Sequence, residues 1–176
     1  MTPIRVVACA PHLLGQPDAP TDGRVPRTFG RASAYGYFMT TDAVSEQILR
    51  TYDTITVVGA SANPTKAANE VPAFMQARGW RIIPVNPTAT EIVGERVYPT
   101  LADVPEQLGV VNVFRPSADC PEIARQAVAA GASALWLQLG IASDEAREIA
   151  ESAGLLYVED RCMKIEVART GISRVH

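Results

Sequence analysis

Histidine is almost missing from this chain: one copy is His12, near the start, and the other is His176, the last residue. Neither sits in a patterned segment, so proton transfer or phosphoryl relay by imidazole has no well-placed carrier. Cysteine is nearly as scarce. Cys9, Cys120 and Cys162 are odd in number and scattered, which excludes a closed disulfide framework and matches no zinc-ligand spacing. That usage fits a reducing compartment, and a cytoplasmic protein is the expectation. No apolar run reaches the ~18–20 residues of a membrane span, and Pro11 and His12 cut short a weakly signal-like start. A surplus of one charge is also lacking. The net charge of −3 gives neither nucleic acid nor an anionic membrane an electrostatic reason to bind.

What is present has the profile of one globular domain: 176 residues, 47% hydrophobic and 20% charged. Residues 1–40 are rich in proline and glycine and carry no period, so they read as a loosely structured N-terminal extension. Ile4 to Ala8 offers at most a short edge strand. From residue 41 a regular alternation begins. Asp42 is placed to cap a helix that buries Val44, Ile48, Leu49 and Tyr52. Strands are expected at Thr54–Val58, Trp80–Val85, Val110–Phe114, Ala134–Gln138 and Leu155–Val158, with short pieces around Ile92 and Val97. Between them fall a helix from Asn69 or Glu70 to Arg78, one capped by Ser117 or Asp119 and reaching Ala130, and one opening at Ser143. Pro72 argues for the later start of the first of these. Single helices between strands build a doubly wound parallel α/β sheet, Rossmann-like, of about five strands with helices on both faces. The domain spans 41–170, a tail 171–176, and the simplest winding puts the opening strand at the centre.

Ligands of such sheets bind beyond the strand C-termini, where the strand order reverses. That rule brings Gly59 to Pro64, Asn86 to Thr88, Phe114 to Ser117 and Gln138 to Gly140 to one crevice. Gly59, Ala60 and Ser61 leave room for a ligand against the backbone, and the helix that follows aims free N–H groups at an anion. A tight structural turn explains the same residues without a ligand. A nicotinamide dinucleotide fits poorly. The later glycines of Gly-x-Gly-x-x-Gly are absent, and Asn86-Pro87 stands where an Asp or Glu would hold the ribose of NAD. An NAD(P)-binding oxidoreductase is therefore the least favoured reading.

Six segments in order carry a resemblance: Val57-Val58-Gly59-Ala60-Ser61 with Asn63-Pro64; Val85-Asn86-Pro87; Ile92-x-Gly94-x-x-Val97-Tyr98-Pro99-x-Leu101; Val113-Phe114-Arg115; Leu135 to Gly140; and Asp160 to Lys164. Over residues 48–166 the chain resembles the small CoA-binding proteins, which are similar to the CoA-binding domain of the succinyl-CoA synthetase α subunit. The resemblance implies coenzyme A or acyl-CoA as ligand. Gly59, Ala60, Ser61 and Asn63 would meet its phosphates or adenosine, and Lys66 would pair with a phosphate. Asn86, Pro87 and Thr88 would lie near the ribose and its 3′-phosphate, and Phe114, Arg115 and Pro116 would border the adenine or pantetheine arm. Ala67-Ala68-Asn69 departs from the Pro-Ser-Tyr-like residues common in that family at this turn.

Plainer roles compete at several positions. Arg115 suits a surface ion pair, Lys66 a solvated helix turn, Trp136 the sheet core, and Gln138 a backbone bond as readily as a ligand contact. Cys162, beside Arg161, is a candidate for a mixed disulfide with CoA by thiolate exchange, or else a buried inert thiol. No paired acid–base groups, metal cluster or nucleophile elbow appears in the sequence. The expected function is a CoA or acyl-CoA binding module that senses, buffers or delivers its ligand. The alternative is the CoA-handling part of an acyl-CoA synthetase. Domains of this size often pair as homodimers, and no exposed stripe in the sequence marks an interface.

Overall fold

Thr54–Val58, five β-branched residues in succession, forms β1 of the domain, and four further parallel strands assemble beside it. The computed structural model describes residues 40–175. The N-terminal extension apart from Thr40, the edge strand considered at Ile4–Ala8, Cys9, His12 and His176 lie outside the described residues. In chain order the elements are α1 (Thr41–Thr51), β1, α2 (Ala67–Ala77), β2 (Arg81–Val85), the short hairpin β3 (Glu91–Ile92) and β4 (Glu95–Arg96), and β5 (Val110–Val113). They continue with α3 (Cys120–Ala129), β6 (Ala134–Leu137), α4 (Asp144–Ser152), β7 (Leu156–Val158) and α5 (Met163–Thr170).

The sheet order is β2-β1-β5-β6-β7, all parallel. This is the doubly wound order with its reversal between β1 and β5. The opening strand is therefore second from one edge, and β5 takes the centre. Ile55 pairs with Ile82 on one side and Val110 on the other, so β1 is buried by a neighbour at each edge. Alternate strand residues feed two core layers. Ile55, Val57, Ile82 and Trp136 pack with Ile48 and Leu49 of α1, Met75 of α2, and Met163 and Val167 of α5. Val111, Val113, Leu135 and Leu137 pack with Ile123 and Ala127 of α3 and Ala146 and Ala150 of α4.

Several helix boundaries differ from the sequence expectation, each for a local reason. Thr40, not Asp42, caps α1: its Oγ1 accepts from the Ala43 N–H at 3.3 Å. Asp42 instead pairs with Arg161 at 2.5 Å. A 3₁₀ turn over Ser117–Asp119 leads into α3, so Asp119 is already helical and makes no cap bond. Helix α2 starts at Ala67, and Pro72 lies inside it. Proline has no N–H, so the carbonyl of Ala68 loses its helical partner. The Ser61 N–H takes that carbonyl at 3.1 Å, which turns a helix defect into a tie to the β1 turn.

Helix α5 is absent from the sequence reading. Met163, Ile165 and Val167 alternate with Lys164 and Glu166, a period of two that points to no helix. In the fold Ile165 is 56% exposed and Glu166 only 5%. Glu166 receives Arg161 at 3.1 Å, Arg169 at 2.8 Å and the Ser45 hydroxyl at 3.3 Å. The carboxylate so placed binds α5 to α1, a buried charge held because it is multiply paired. Residues beyond α5 also dock. Ile172 is buried, and Arg174 donates to the carbonyls of Leu49 at 2.9 Å and Tyr52 at 3.3 Å.

On edge strand β7, Tyr157 donates to Glu159 Oε2 at 2.7 Å and to the Ser143 carbonyl at 3.2 Å. Burial pushes its pKa up from the usual 10.0 to about 12, against the opposing pull of Arg147. The folded state then holds this proton more tightly than the unfolded chain does. Its stabilising contribution is complete below about pH 10 and is lost as pH rises through about 12. In urea titrations, the stability advantage of wild type over Tyr157→Phe is expected to shrink from pH 9 towards about pH 12.

Candidate ligand-binding site

The turn leaving β1 is shaped by Gly59, whose φ of +81° is open to glycine at little cost. Its N–H donates to the Val85 carbonyl at 3.1 Å, and a Cβ here would stand 2.9 Å from Arg115 Cδ and 3.2 Å from the Phe114 carbonyl. The stem of Arg115 thus lies directly across the turn. Ala60 is buried and its carbonyl accepts from Asn86 Nδ2 at 2.9 Å. Ser61 is tied to α2 twice: its N–H to Ala68, and its carbonyl to Asn69 Nδ2 at 2.7 Å. Asn63 Oδ1 accepts from the Thr65 N–H at 3.0 Å and hydroxyl at 2.9 Å, an Asx turn that feeds the chain into Lys66. Asn86 does the same after β2, accepting from Thr88 N–H at 2.8 Å, Thr88 Oγ1 at 3.0 Å and Ala89 N–H at 3.1 Å.

These loops bound a crevice of about 720 Å³ beyond the C-termini of β1, β2 and β5, a volume within the usual range of ligand sites. Gly59, Ala60, Ser61, Lys66, Asn86, Pro87, Phe114 and Arg115 line it, so eight residues named from the sequence come together. At its rim α2 begins, and among the described residues the Ala67 and Ala68 amides have no acceptor. Lys66 and Arg115 favour an anion on that side, while Asp119 and Glu122 place two carboxylates along the α3 side of the crevice. The opposite wall is apolar, built from Val85, Pro99, Leu101 and Ile123. Arg115 donates from Nε at 3.1 Å and Nη2 at 2.9 Å to Asp119 Oδ2. Cys120, at the start of α3, is buried; burial first, and the Asp119 carboxylate second, push its pKa up. Its thiol donates to the Pro116 carbonyl at 3.6 Å and serves packing. The arrangement suits binding of a ligand with a phosphate end and an apolar or aromatic body.

The family profile described as CoA binding domain matches residues 53–168. The chain belongs to the CoA binding domain family. The uncharacterized protein YneT of Bacillus subtilis (strain 168) is 34% identical over 125 residues, covering 71% of this chain and 93% of that protein. A hypothetical protein from Pyrococcus horikoshii OT3 superimposes with a TM-score of 0.71 at 35% identity, covering 75% of this chain and 92% of that one. The dinucleotide forming acetyl-coenzyme A synthetase 1 of Ca. Korarchaeum cryptofilum, in complex with phosphate and ADP, gives a TM-score of 0.56 at 26% identity. That overlap spans 61% of this chain and 26% of the synthetase chain.

Five residues named from the sequence do not line the crevice of this CoA binding domain: Asn63, Thr88, Pro116, Gln138 and Cys162. Asn63 and Thr88 are spent on loop geometry. Gln138 is 3% exposed and donates from Nε2 to Asn112 Oδ1 at 2.9 Å. It follows Trp136 by two residues and so faces the layer of α1, α2 and α5, whereas the apolar crevice wall belongs to the layer of α3 and α4. Cys162 stands at the N-cap of α5 and packs on that same α1-side layer. The guanidinium that would activate it, Arg161, is engaged by Asp42 and Glu166. Sequence reasoning in turn missed Pro99, Thr100 and Leu101, and the α3-side face of Ala118, Asp119, Glu122, Ile123 and Gln126. The spacing of Arg115 to Asp119, an i, i+4 pair of opposite charge, was the available signal.

Asn86 clamps two sides of the crevice at once. Asn86→Ala strips the Ala60 carbonyl and the Thr88–Ala89 amides of their partner, and a loss of about 1–3 kcal/mol is expected in urea unfolding.

Proposed function

We propose that this chain binds coenzyme A or an acyl-CoA in the crevice and acts as a holder that senses, buffers or delivers it. The observation that carries the reading is the meeting of the Gly59–Ser61 turn with Ala68 at the start of α2, whose amide is open, and with Lys66 and Arg115, against an apolar wall. Amides at a helix start together with two cations suit the phosphates of CoA. Phe114, Leu101 and Ile123 suit the flat adenine or the pantetheine arm. Asn86, committed to its loop, offers no carboxylate to repel a 3′-phosphate, which supports CoA over NAD. Membership of the CoA binding domain family supports the same ligand.

A second reading has one observation in its favour, the likeness to the acetyl-coenzyme A synthetase of Ca. Korarchaeum cryptofilum, of which this chain spans about a quarter. Under that reading the domain presents CoA to a reaction completed by other domains.

Calorimetric titration with CoA, acetyl-CoA, NAD and NADP side by side tests the proposal. CoA or acetyl-CoA is expected to bind at least about tenfold tighter than either dinucleotide, a gap of about 1.4 kcal/mol. Ser61→Glu, which fills and charges the turn, is expected to abolish binding. Equal or tighter binding of NAD would overturn the assignment. Formation of acyl-CoA from ATP, a carboxylate and CoA would replace the holder reading with the enzymatic one.

A further inference from the structure

Arg115 and Asp119 form a contact whose position is more informative than its strength. Both line the crevice, and both are about half exposed. An exposed i, i+4 pair at a helix start is ordinarily a minor surface feature. Here the Arg115 stem crosses the Gly59 turn closely: a Cβ at Gly59 would stand 2.9 Å from Arg115 Cδ. Its guanidinium makes two bonds to one oxygen of Asp119. Asp119 in turn forgoes the usual use of an aspartate at this point, since it makes no bond to the α3 amides. Neither side chain has another bonded partner among the described residues.

We propose that Asp119 is a latch: it withholds the Arg115 guanidinium until a phosphate seated on the β1 turn displaces the carboxylate and takes the guanidinium. The inference rests on the CoA reading for its natural ligand but commits to a wider chemical class, a diphosphate-bearing anion seated on the Gly59–Ser61 turn. Arg115 is the residue that contacts the phosphate, and Asp119 is the residue that positions it. A ligand must outbid a carboxylate to bind, so the pair selects for dense negative charge. A neutral or singly charged ligand pays the cost of breaking the pair without a comparable return.

The test is a double-mutant cycle in calorimetry, with CoA and with inorganic pyrophosphate as separate probes. Asp119→Ala is expected to tighten both by roughly two- to fivefold, the size of a half-exposed ion pair. Arg115→Gln is expected to weaken both by roughly tenfold or more, the size of one charge-assisted bond. The deciding result is the pair. In Arg115→Gln/Asp119→Ala the tightening is expected to vanish, because without the guanidinium there is nothing for Asp119 to withhold. Tightening that persists in the double variant means that Asp119 acts only by repelling the ligand, and overturns the latch. So does unchanged affinity in Asp119→Ala. Pyrophosphate behaving as described while CoA fails to bind would refute the CoA reading and leave the latch standing. Pyrophosphate failing to bind while CoA binds without the predicted pattern would do the reverse.

Discussion

One missing N–H organises the site. Pro72 sits inside α2, where it cannot donate to the Ala68 carbonyl. Left to itself, that defect would cost the helix several kcal/mol, on the order of 3 in an isolated interior. The fold spends the freed carbonyl on the Ser61 N–H, and Asn69 of the same helix returns a bond to the Ser61 carbonyl. Strand β1 and helix α2 are thereby joined at the turn between them. The left-handed Gly59 conformation is fixed on the other side by Val85 and by the Arg115 stem. Ser61 commits its amide in this arrangement, and the amides left open are those at the start of α2 itself.

The sheet supplies rigidity behind this turn. β1 and β5 are paired on both sides, and the crevice lies over the point where the winding reverses. On the far face α1 and α5 are joined by the buried Glu166, with Arg161, Arg169 and Ser45 around it. Trp136 adds a bond from its Nε1–H to the Arg161 carbonyl at 2.7 Å. The Asp160-Arg161-Cys162 segment, chemically suggestive as a sequence, thus serves to seat α5 against the sheet. Its guanidinium is engaged by Asp42 and Glu166, and the guanidinium that lines the crevice is that of Arg115.

The strands and the order of elements were legible because β-branched runs such as Thr54–Val58 leave little choice of structure. The loops at the strand ends were legible for the same reason: the parallel sheet dictates where they gather. Side-chain direction was not. Gln138 was placed at the crevice by its position in the chain, but the two-residue period of the strand turns it to Asn112 and the opposite face. Helix α5 was hidden because Met163, Ile165 and Val167 repeat at the period of a strand, and a buried Glu166 defeats any hydrophobic pattern. The α2 start was misjudged because a proline was expected in the first turn, with no way to see that Ser61 would satisfy the carbonyl it frees. Glu122 and Ile123 were missed since they reach the crevice from along a helix, with no loop or glycine to mark them, and Asp119 was marked only by its i, i+4 spacing from Arg115.

The central proposal is that the Gly59–Ser61 turn and the start of α2 receive the phosphates of coenzyme A. Amide chemical shifts of the ¹⁵N-labelled protein during a CoA titration test it most directly. Large, saturable shifts at Gly59–Ser61, Ala67, Ala68 and Arg115, with little change around Glu166, are the predicted result. A map centred on β7 and α5, or no saturable shift at the β1 turn, would contradict it.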